Sequence, residues 1–252
     1  MNSPATLNHE VVSRDEWLKA AAGFLAKEKE LTRLSDELSR QRRELPWNRV
    51  DKDYVFEGPQ GQVHLADLFS GRSQLAVYHF MFGPDWTEGC PGCSYVTDHM
   101  NGAVEHLRAR DVALVLVSRG PMQKLAAFKQ RMGWRIPWVS SGGCDFNRDF
   151  GVSFTQEEVA AGAPLYNFGT TAPHGEENPG LSFFCKDAGG AIFHTYSTYG
   201  RGLETLLGTY MLLDRAPKGR DEAGLPSPMS WVRHHDKYEP TVQGIAACCH
   251  EK

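Results

Sequence analysis

The stretch that decides the fold is Leu75-Ala76-Val77-Tyr78-His79-Phe80-Met81-Phe82, followed by a loop with Gly83, Pro84 and Gly89 and then by Cys90-Pro91-Gly92-Cys93. The first eight residues form an almost unbroken apolar run with no glycine or proline, the pattern of a central strand covered on both faces. The loop then delivers two cysteines to the start of a helix. Pro91 suits the first helical position, where no backbone donor is needed, so Cys90 falls at the N-cap. There its sulfur faces unpaired N–H groups and the positive end of the helix dipole, which favour thiolate over thiol. Cys93 lies in the same first turn, close enough to attack a mixed disulfide formed on Cys90. The reading is a redox-active dithiol in which Cys90 attacks and Cys93 resolves.

The same spacing is also half of a zinc site, which would need a second pair of ligands. The other close pair, Cys248-Cys249 with His250, stands at the far end of the sequence. It could capture metal or pass electrons to the main pair, or be incidental thiols of a terminus. Cys144 and Cys185 stand alone and are expected to be buried apolar thiols.

Outward from this stretch, Cys93 to Arg110 has helical spacing, Val112 to Ser118 is a second buried strand, and Pro121 to Gly133 is an amphipathic helix opened by proline. Strand and helix alternating in this way predict an α/β protein with a partly parallel sheet. Leu181 to Phe184 and Ala191 to Tyr196 flank Asp187-Ala188-Gly189-Gly190, a hairpin turn that adds two antiparallel strands. A short strand, Tyr54 to Glu57, precedes a turn at Gly58-Pro59-Gln60-Gly61, and a last helix is expected over Arg201 to Asp214. Beyond Ala216, proline, glycine and charge predict an irregular or mobile tail.

The N-terminal segment differs. Ser13 and Glu16 form a capping-box pattern, and no proline interrupts the chain from there to Leu45, so one long helix is predicted. Trp17, Phe24, Leu31, Leu38 and Leu45 recur every seven residues, with Leu34 beside them. This narrow seam could lie on the body of its own chain or meet the same helix of a second subunit in a homodimer. The expected organisation is a helical extension at 1–48, a central domain at 49–216 and a tail at 217–252.

Composition narrows the function classes. The 252 residues are 41% hydrophobic, enough for a sizeable core, and the formal charge is -4. That balance argues against nucleic acid as a partner, and the only dense basic cluster is Arg40, Arg42 and Arg43. No apolar run approaches the roughly 20 residues of a membrane span. The N-terminus shows neither a basic nor an apolar signal region, so the expected location is cytoplasmic. Six cysteines are too few for a disulfide scaffold.

The run His64-Leu65-Ala66-Asp67-Leu68-Phe69, the strand to Phe82, Cys90-Pro91-Gly92-Cys93-Ser94, Val115-Leu116-Val117-Ser118 and Ile136-Pro137-Trp138 together resemble thioredoxin-fold proteins of the peroxiredoxin and thiol-disulfide reductase type. More closely, the chain is similar to the bacterial predicted dithiol-disulfide oxidoreductases grouped as domain-of-unknown-function family 899. The similarity spans roughly residues 10 to 240 and includes Met229-Ser230-Trp231-Val232-Arg233. It implies a thioredoxin-like mixed sheet flanked by helices; the dithiol chemistry itself is expected to need no organic cofactor and no metal and to take a disulfide-containing protein or a small thiol or disulfide as partner. Thioredoxins place tryptophan directly before the first cysteine; Gly89 stands there instead, with Trp86 further upstream. They also carry a cis-proline facing the dithiol, for which Pro179 is the first candidate and Pro137 the second.

Two other functions remain open. Thr87, three residues before Cys90, fits a peroxiredoxin-like pattern in which a threonine hydrogen-bonds peroxide, although Pro84 is one residue too close; Arg119 or Arg201 would supply the required cation. A copper-binding role would join the two thiolates to His174, His194 or His99, since soft ligands suit Cu(I). Asp85 or Glu88, if buried near Cys93, could take its proton during resolution.

Overall fold

In the computed structural model, which describes residues 9–239, the chain opens with helix α1 (Arg14–Arg43). Its start is the foreseen capping box: the Ser13 N–H donates to the Glu16 carboxylate, and the Glu16 N–H donates to Ser13 Oγ. Arg40, Arg42 and Arg43 in the last turn complement the negative end of the helix. The helix buries none of its residues. Trp17 and Phe24 are each 60% exposed and Leu31 is 67% exposed, so the body of its own chain does not cover the seam.

Strand β1 (Asn48–Arg49) ties the chain to the sheet, and β2 (Val55–Gly58) and β3 (Gly61–His64) form a hairpin. The central portion runs β4 (Gln74–His79), α2 (Pro91–Asn101), α3 (Val104–Ala109), β5 (Val112–Ser118), α4 (Met122–Arg131) and β6 (Trp138–Ser140). Two short helices, α5 (Phe146–Asp149) and α6 (Gln156–Ala161), lead to the hairpin of β7 (Gly180–Lys186) and β8 (Ile192–Tyr199), followed by α7 (Gly208–Leu213). These strands form one sheet in the order β1-β8-β7-β4-β5-β6-β2-β3. β5 is parallel to β4 and β6 is parallel to β5, while β7 is antiparallel to β4 and β8 to β7. A βαβ unit with the dithiol between its first strand and helix, then an antiparallel hairpin on the other edge of that strand and a closing helix, is the thioredoxin-like arrangement.

Side chains of β4 alternate between two cores. Ala76 and Tyr78, with Phe80 beyond the strand, join Leu116, Phe128, Trp134 and Trp138 beneath α2 and α4. Leu75 and Val77 join Val115, Val117, Phe69, Phe146 and Phe184 on the opposite face. Covering both faces explains why the strand reads as a continuous apolar run.

Several boundaries differ from the sequence reading. Pairing of β4 stops at His79, because Phe80 to Phe82 follow the end of β5 only through single bonds, Phe80 N–H to the Val117 carbonyl and Gly120 N–H to the Phe82 carbonyl. The helix expected over Cys93 to Arg110 begins at Pro91 and breaks at Gly102-Ala103 into α2 and α3. The helix expected from Arg201 is a 3-10 turn, Gly200–Leu206, before α7. Strands β1, β3 and β6 have two to four residues each and offer no period to read. The segment 217–239 is irregular, with a single 3-10 turn at His235–Lys237, yet it is packed: Val232 and His234 are buried, and Met229 and Trp231 lean on the core under α2. Among the described residues no helix is long and apolar enough to cross a membrane.

The two environments predict opposite costs for the same change. Leu116→Ala, in the fully buried core, should lose about 2–5 kcal/mol of stability by denaturant unfolding. Leu18→Ala, on the exposed helix, should stay within about 0.5 kcal/mol of the parent protein.

Candidate active site

The carboxyl end of β4 leads into a loop that leaves little room for side chains. A Cβ on Gly83 would lie 2.8 Å from Trp86 Nε1, and one on Gly89 would lie 2.6 Å from Phe80 Cε1 and 3.0 Å from Phe128 Cε1. Gly89 is therefore a packing requirement, which explains why no tryptophan precedes the first cysteine here. Lys124 Nζ donates to the carbonyls of Pro84 and Trp86 at 2.9 and 3.1 Å and holds the outer loop to α4. The Cys90 N–H donates to the Met81 carbonyl at 3.1 Å, folding the loop back on the strand it left.

Cys90 is the N-cap of α2, in extended geometry (φ -57°, ψ 130°), with Pro91 at the first helical position. It is partly exposed, whereas Cys93, one turn inward, is only 2% exposed; both are free thiols. The neighbouring Cys93 thiol, opposed by burial and aided by the backbone of Cys93 and Gly92 at the helix start, brings Cys90 down to about 7. Burial, then the neighbouring Cys90, pushes Cys93 well above the ordinary thiol range. Cys93 Sγ accepts the Met81 N–H at 3.4 Å. The buried Tyr78 hydroxyl, which has no hydrogen-bond partner among the described residues, lies near the same sulfur. Such an arrangement supports one reactive thiolate at the surface with a protonated thiol in reserve beneath it.

A hollow of about 420 Å³ opens at Cys90, bounded by Asp85, Trp86, Thr87, Glu88, Pro91 and His234. Trp86 is 37% exposed on its rim, and Asp85 and Thr87 are exposed. No hydrogen bond joins Thr87 to Cys90 among the described residues. Neither carboxylate is buried near Cys93: Asp85 faces solvent, and Glu88 is bound by Lys237 and Arg131, which hold it below the usual carboxylate range. The burial on which a proton-accepting role for Asp85 or Glu88 depended is therefore absent.

Other residues lie elsewhere. Arg119 is not at the hollow; its Nε contacts the Glu177 carboxylate at 3.1 Å, and burial pushes Glu177 up to about 7. Arg201 is exposed on Glu204. Pro179 and Pro137 are both trans, because the single cis peptide among the described residues is Ala163–Pro164. Pro179 begins the approach to β7, and its carbonyl accepts the Tyr166 hydroxyl. His99 is engaged by Tyr95 and Thr209, and His194 by Ser197. Among the described residues no three His, Cys, Asp or Glu side chains are grouped to hold a metal. Cys144 and Cys185 are half-buried and apart, each pushed up mainly by burial. Cys248, Cys249 and His250 lie outside the described residues.

Sequence reasoning missed the C-terminal contribution. His234, 3% exposed, donates from Nε2 to the Gly89 carbonyl at 2.8 Å and lines the hollow at Cys90. Arg131, on α4, meets His234 Nδ1 at 3.1 Å and pairs with Asp236 at 2.7 Å. A stretch rich in charge and turn residues gives no periodic signal that would single these out.

The family described as "Bacterial protein of unknown function (DUF899)" matches residues 6–238. No curated protein sequence matches the chain. Among solved structures, the peroxidoxin BcpB from Mycobacterium tuberculosis is similar at 15% identity and a TM-score of 0.45, over 66% of this chain and 95% of that one. A cysteine-to-serine mutant of peroxiredoxin Q from Xanthomonas campestris is similar at 14% identity and a TM-score of 0.45, over 67% and 98%. The mitochondrial 2-Cys peroxiredoxin from Plasmodium falciparum is similar at 14% identity and a TM-score of 0.38, over 67% and 94%.

The geometry predicts how the thiols titrate. Cys90 should react with iodoacetamide with a midpoint near pH 7, with Cys93 unlabelled in the native protein, as read by peptide mass spectrometry. In Cys93→Ala, which removes the largest stabilising contact to the thiolate, the Cys90 midpoint should move upward toward that of an ordinary thiol.

Proposed function

The chain belongs to this bacterial family, and we propose that its activity is thiol-disulfide exchange, with Cys90 as the attacking and Cys93 as the resolving thiol. The observation that carries the reading is the division of labour between the two sulfurs. One is partly exposed, at a helix N-terminus and drawn down to about 7; the other is buried, protonated and in contact with it.

The Cys90 thiolate attacks one sulfur of a substrate disulfide, forming a mixed disulfide and expelling the other half of the substrate as a thiolate. Once Cys90 carries no charge, the hydrogen bond from Cys93 loses its acceptor. Cys93 then attacks the Cys90 sulfur, its proton passes to the departing thiolate, and the Cys90–Cys93 disulfide forms. Two electrons move from the protein dithiol to the substrate, and a thiol donor reverses the sequence. The hollow beside Cys90, rimmed by Trp86 and Pro91 and open to solvent, suits a disulfide carried on a peptide or a small molecule.

Peroxide reduction is the second reading, because it uses the same sulfurs: peroxide would convert Cys90 to a sulfenic acid, and condensation with Cys93 would give the internal disulfide and water. The Thr87 position favours it. The absence of any arginine from the lining of the hollow makes it the weaker of the two.

Cys93→Ser, which keeps a hydroxyl donor beside Cys90, should accumulate a mixed disulfide through Cys90 when given a peptide disulfide. Cys90→Ser should reduce that substrate no faster than the uncatalysed reaction. Unchanged turnover in the Cys90 variant would defeat the mechanism, and faster consumption of hydrogen peroxide than of the peptide disulfide by the parent protein would favour the peroxidase.

A further inference from the structure

The peptide unit between Gly89 and Cys90 is held at both of its polar atoms. On one side the Cys90 N–H donates to the Met81 carbonyl. On the other the Gly89 carbonyl, in a buried residue, accepts the Nε2 proton of His234 at 2.8 Å. Two anchors on opposite ends of one planar group fix its rotation, and with it the backbone angles that aim the next side chain.

The donor is itself prepared. Arg131 Nη2 lies 3.1 Å from His234 Nδ1. A guanidinium offers only donors and a carbonyl only an acceptor, so a single imidazole form satisfies both neighbours: Nδ1 bare and Nε2 carrying the proton. Arg131 is in turn clamped by Asp236 through Nε and Nη2, at 2.7 and 2.9 Å, and by Glu88 at 2.7 Å, while Lys237 closes on Glu88 at 2.7 Å. The His234 ring also rests edge-on against Phe128, 5.2 Å between centroids. Residues 234–237 thus form a strap running from α4 over the loop before Cys90.

We propose that His234 is a positioning residue for Cys90, an inference that rests on the reading of Cys90 as the attacking thiol: by holding the Gly89 carbonyl, it keeps the Cys90 sulfur against the N-terminus of α2. The link is geometric. The Cys90 sulfur lies over the first turn of α2, 3.7 Å from where a Cβ on Gly92 would stand, and the positive end of the helix favours its thiolate only while Cys90 keeps this N-cap conformation. Releasing the Gly89 carbonyl lets the buried peptide turn toward water, and the sulfur leaves the helix end. The titratable groups facing Cys90 are Cys93 and Tyr78 beneath it and Asp85, Glu88 and His234 around the hollow, with Arg131, Asp236 and Lys237 behind them. The strap acts without touching a substrate.

The test follows the pH dependence of Cys90 carboxamidomethylation in the full chain, read by peptide mass spectrometry, alongside disulfide turnover and thermal melting. His234→Ala should raise the Cys90 midpoint by about one pH unit, a roughly tenfold loss of thiolate below the midpoint. His234→Gln, whose terminal amide can donate at the Nε2 position, should restore most of it. Arg131→Gln should shift the midpoint in the same direction without opening a cavity, and so carries the test if His234→Ala does not fold. Variants that melt lower but keep the parent midpoint would overturn the proposal by reducing the strap to packing. The midpoint belongs to the thiol itself, so a shift supports the positioning role even if the parent protein proves inactive on disulfides, an outcome that would overturn only the function it serves.

Discussion

The arrangement depends on one constraint: β4 is hydrogen-bonded along both edges, parallel to β5 and antiparallel to β7, and the chain must leave the sheet at its carboxyl end. Side chains on both faces of that strand are committed to the two cores, so the strand cannot slip without exposing one set or burying the wrong one. The loop it releases is held to the sheet by Met81, to α4 by Lys124 and to the C-terminal segment by His234. Helix α2 begins where that loop ends. The position of the Cys90 sulfur is thus set by the sheet, through a loop fastened at several points.

From that position the two cysteines acquire different chemistry without any charged neighbour being needed. Cys90 gains the helix end and the neighbouring Cys93 thiol, and their combined pull exceeds the cost of its burial. Cys93 gains burial and a sulfur neighbour, and both hold its proton on. One turn of helix separates the nucleophile we propose from its reserve. The surrounding ion pairs among Glu88, Arg131, Asp236 and Lys237 belong to the scaffold of the loop, since exposed pairs of this kind contribute little energy individually and act here by fixing geometry.

Much of this was legible in the sequence, for identifiable reasons. The run from Leu75 and the strand Val112 to Ser118 are readable because both faces are covered, and the capping box at Ser13 and Glu16 because its residues bond locally. The placement of Cys90 at a helix start is readable because Pro91 marks it. The limits are equally physical. β6 is three residues long, the break at Gly102-Ala103 interrupts a helix whose apolar spacing continues, and Arg119 looks available until the fold brings Glu177 against it. The His234 contact joins residues 145 positions apart inside a segment without periodicity, so only the fold reveals it. Gly89, read as a departure from thioredoxins, is explained by the rings of Phe80 and Phe128.

The central claim is that Cys90 attacks first and that Cys93 acts only through it. The most direct measurement mixes the reduced protein with oxidised glutathione, quenches with acid at successive times and maps the modified cysteines by mass spectrometry. The account predicts a glutathione adduct on Cys90 that appears first and decays as the Cys90–Cys93 disulfide forms. A first adduct on Cys93, or an adduct on Cys90 that never gives way to the internal disulfide, would contradict it.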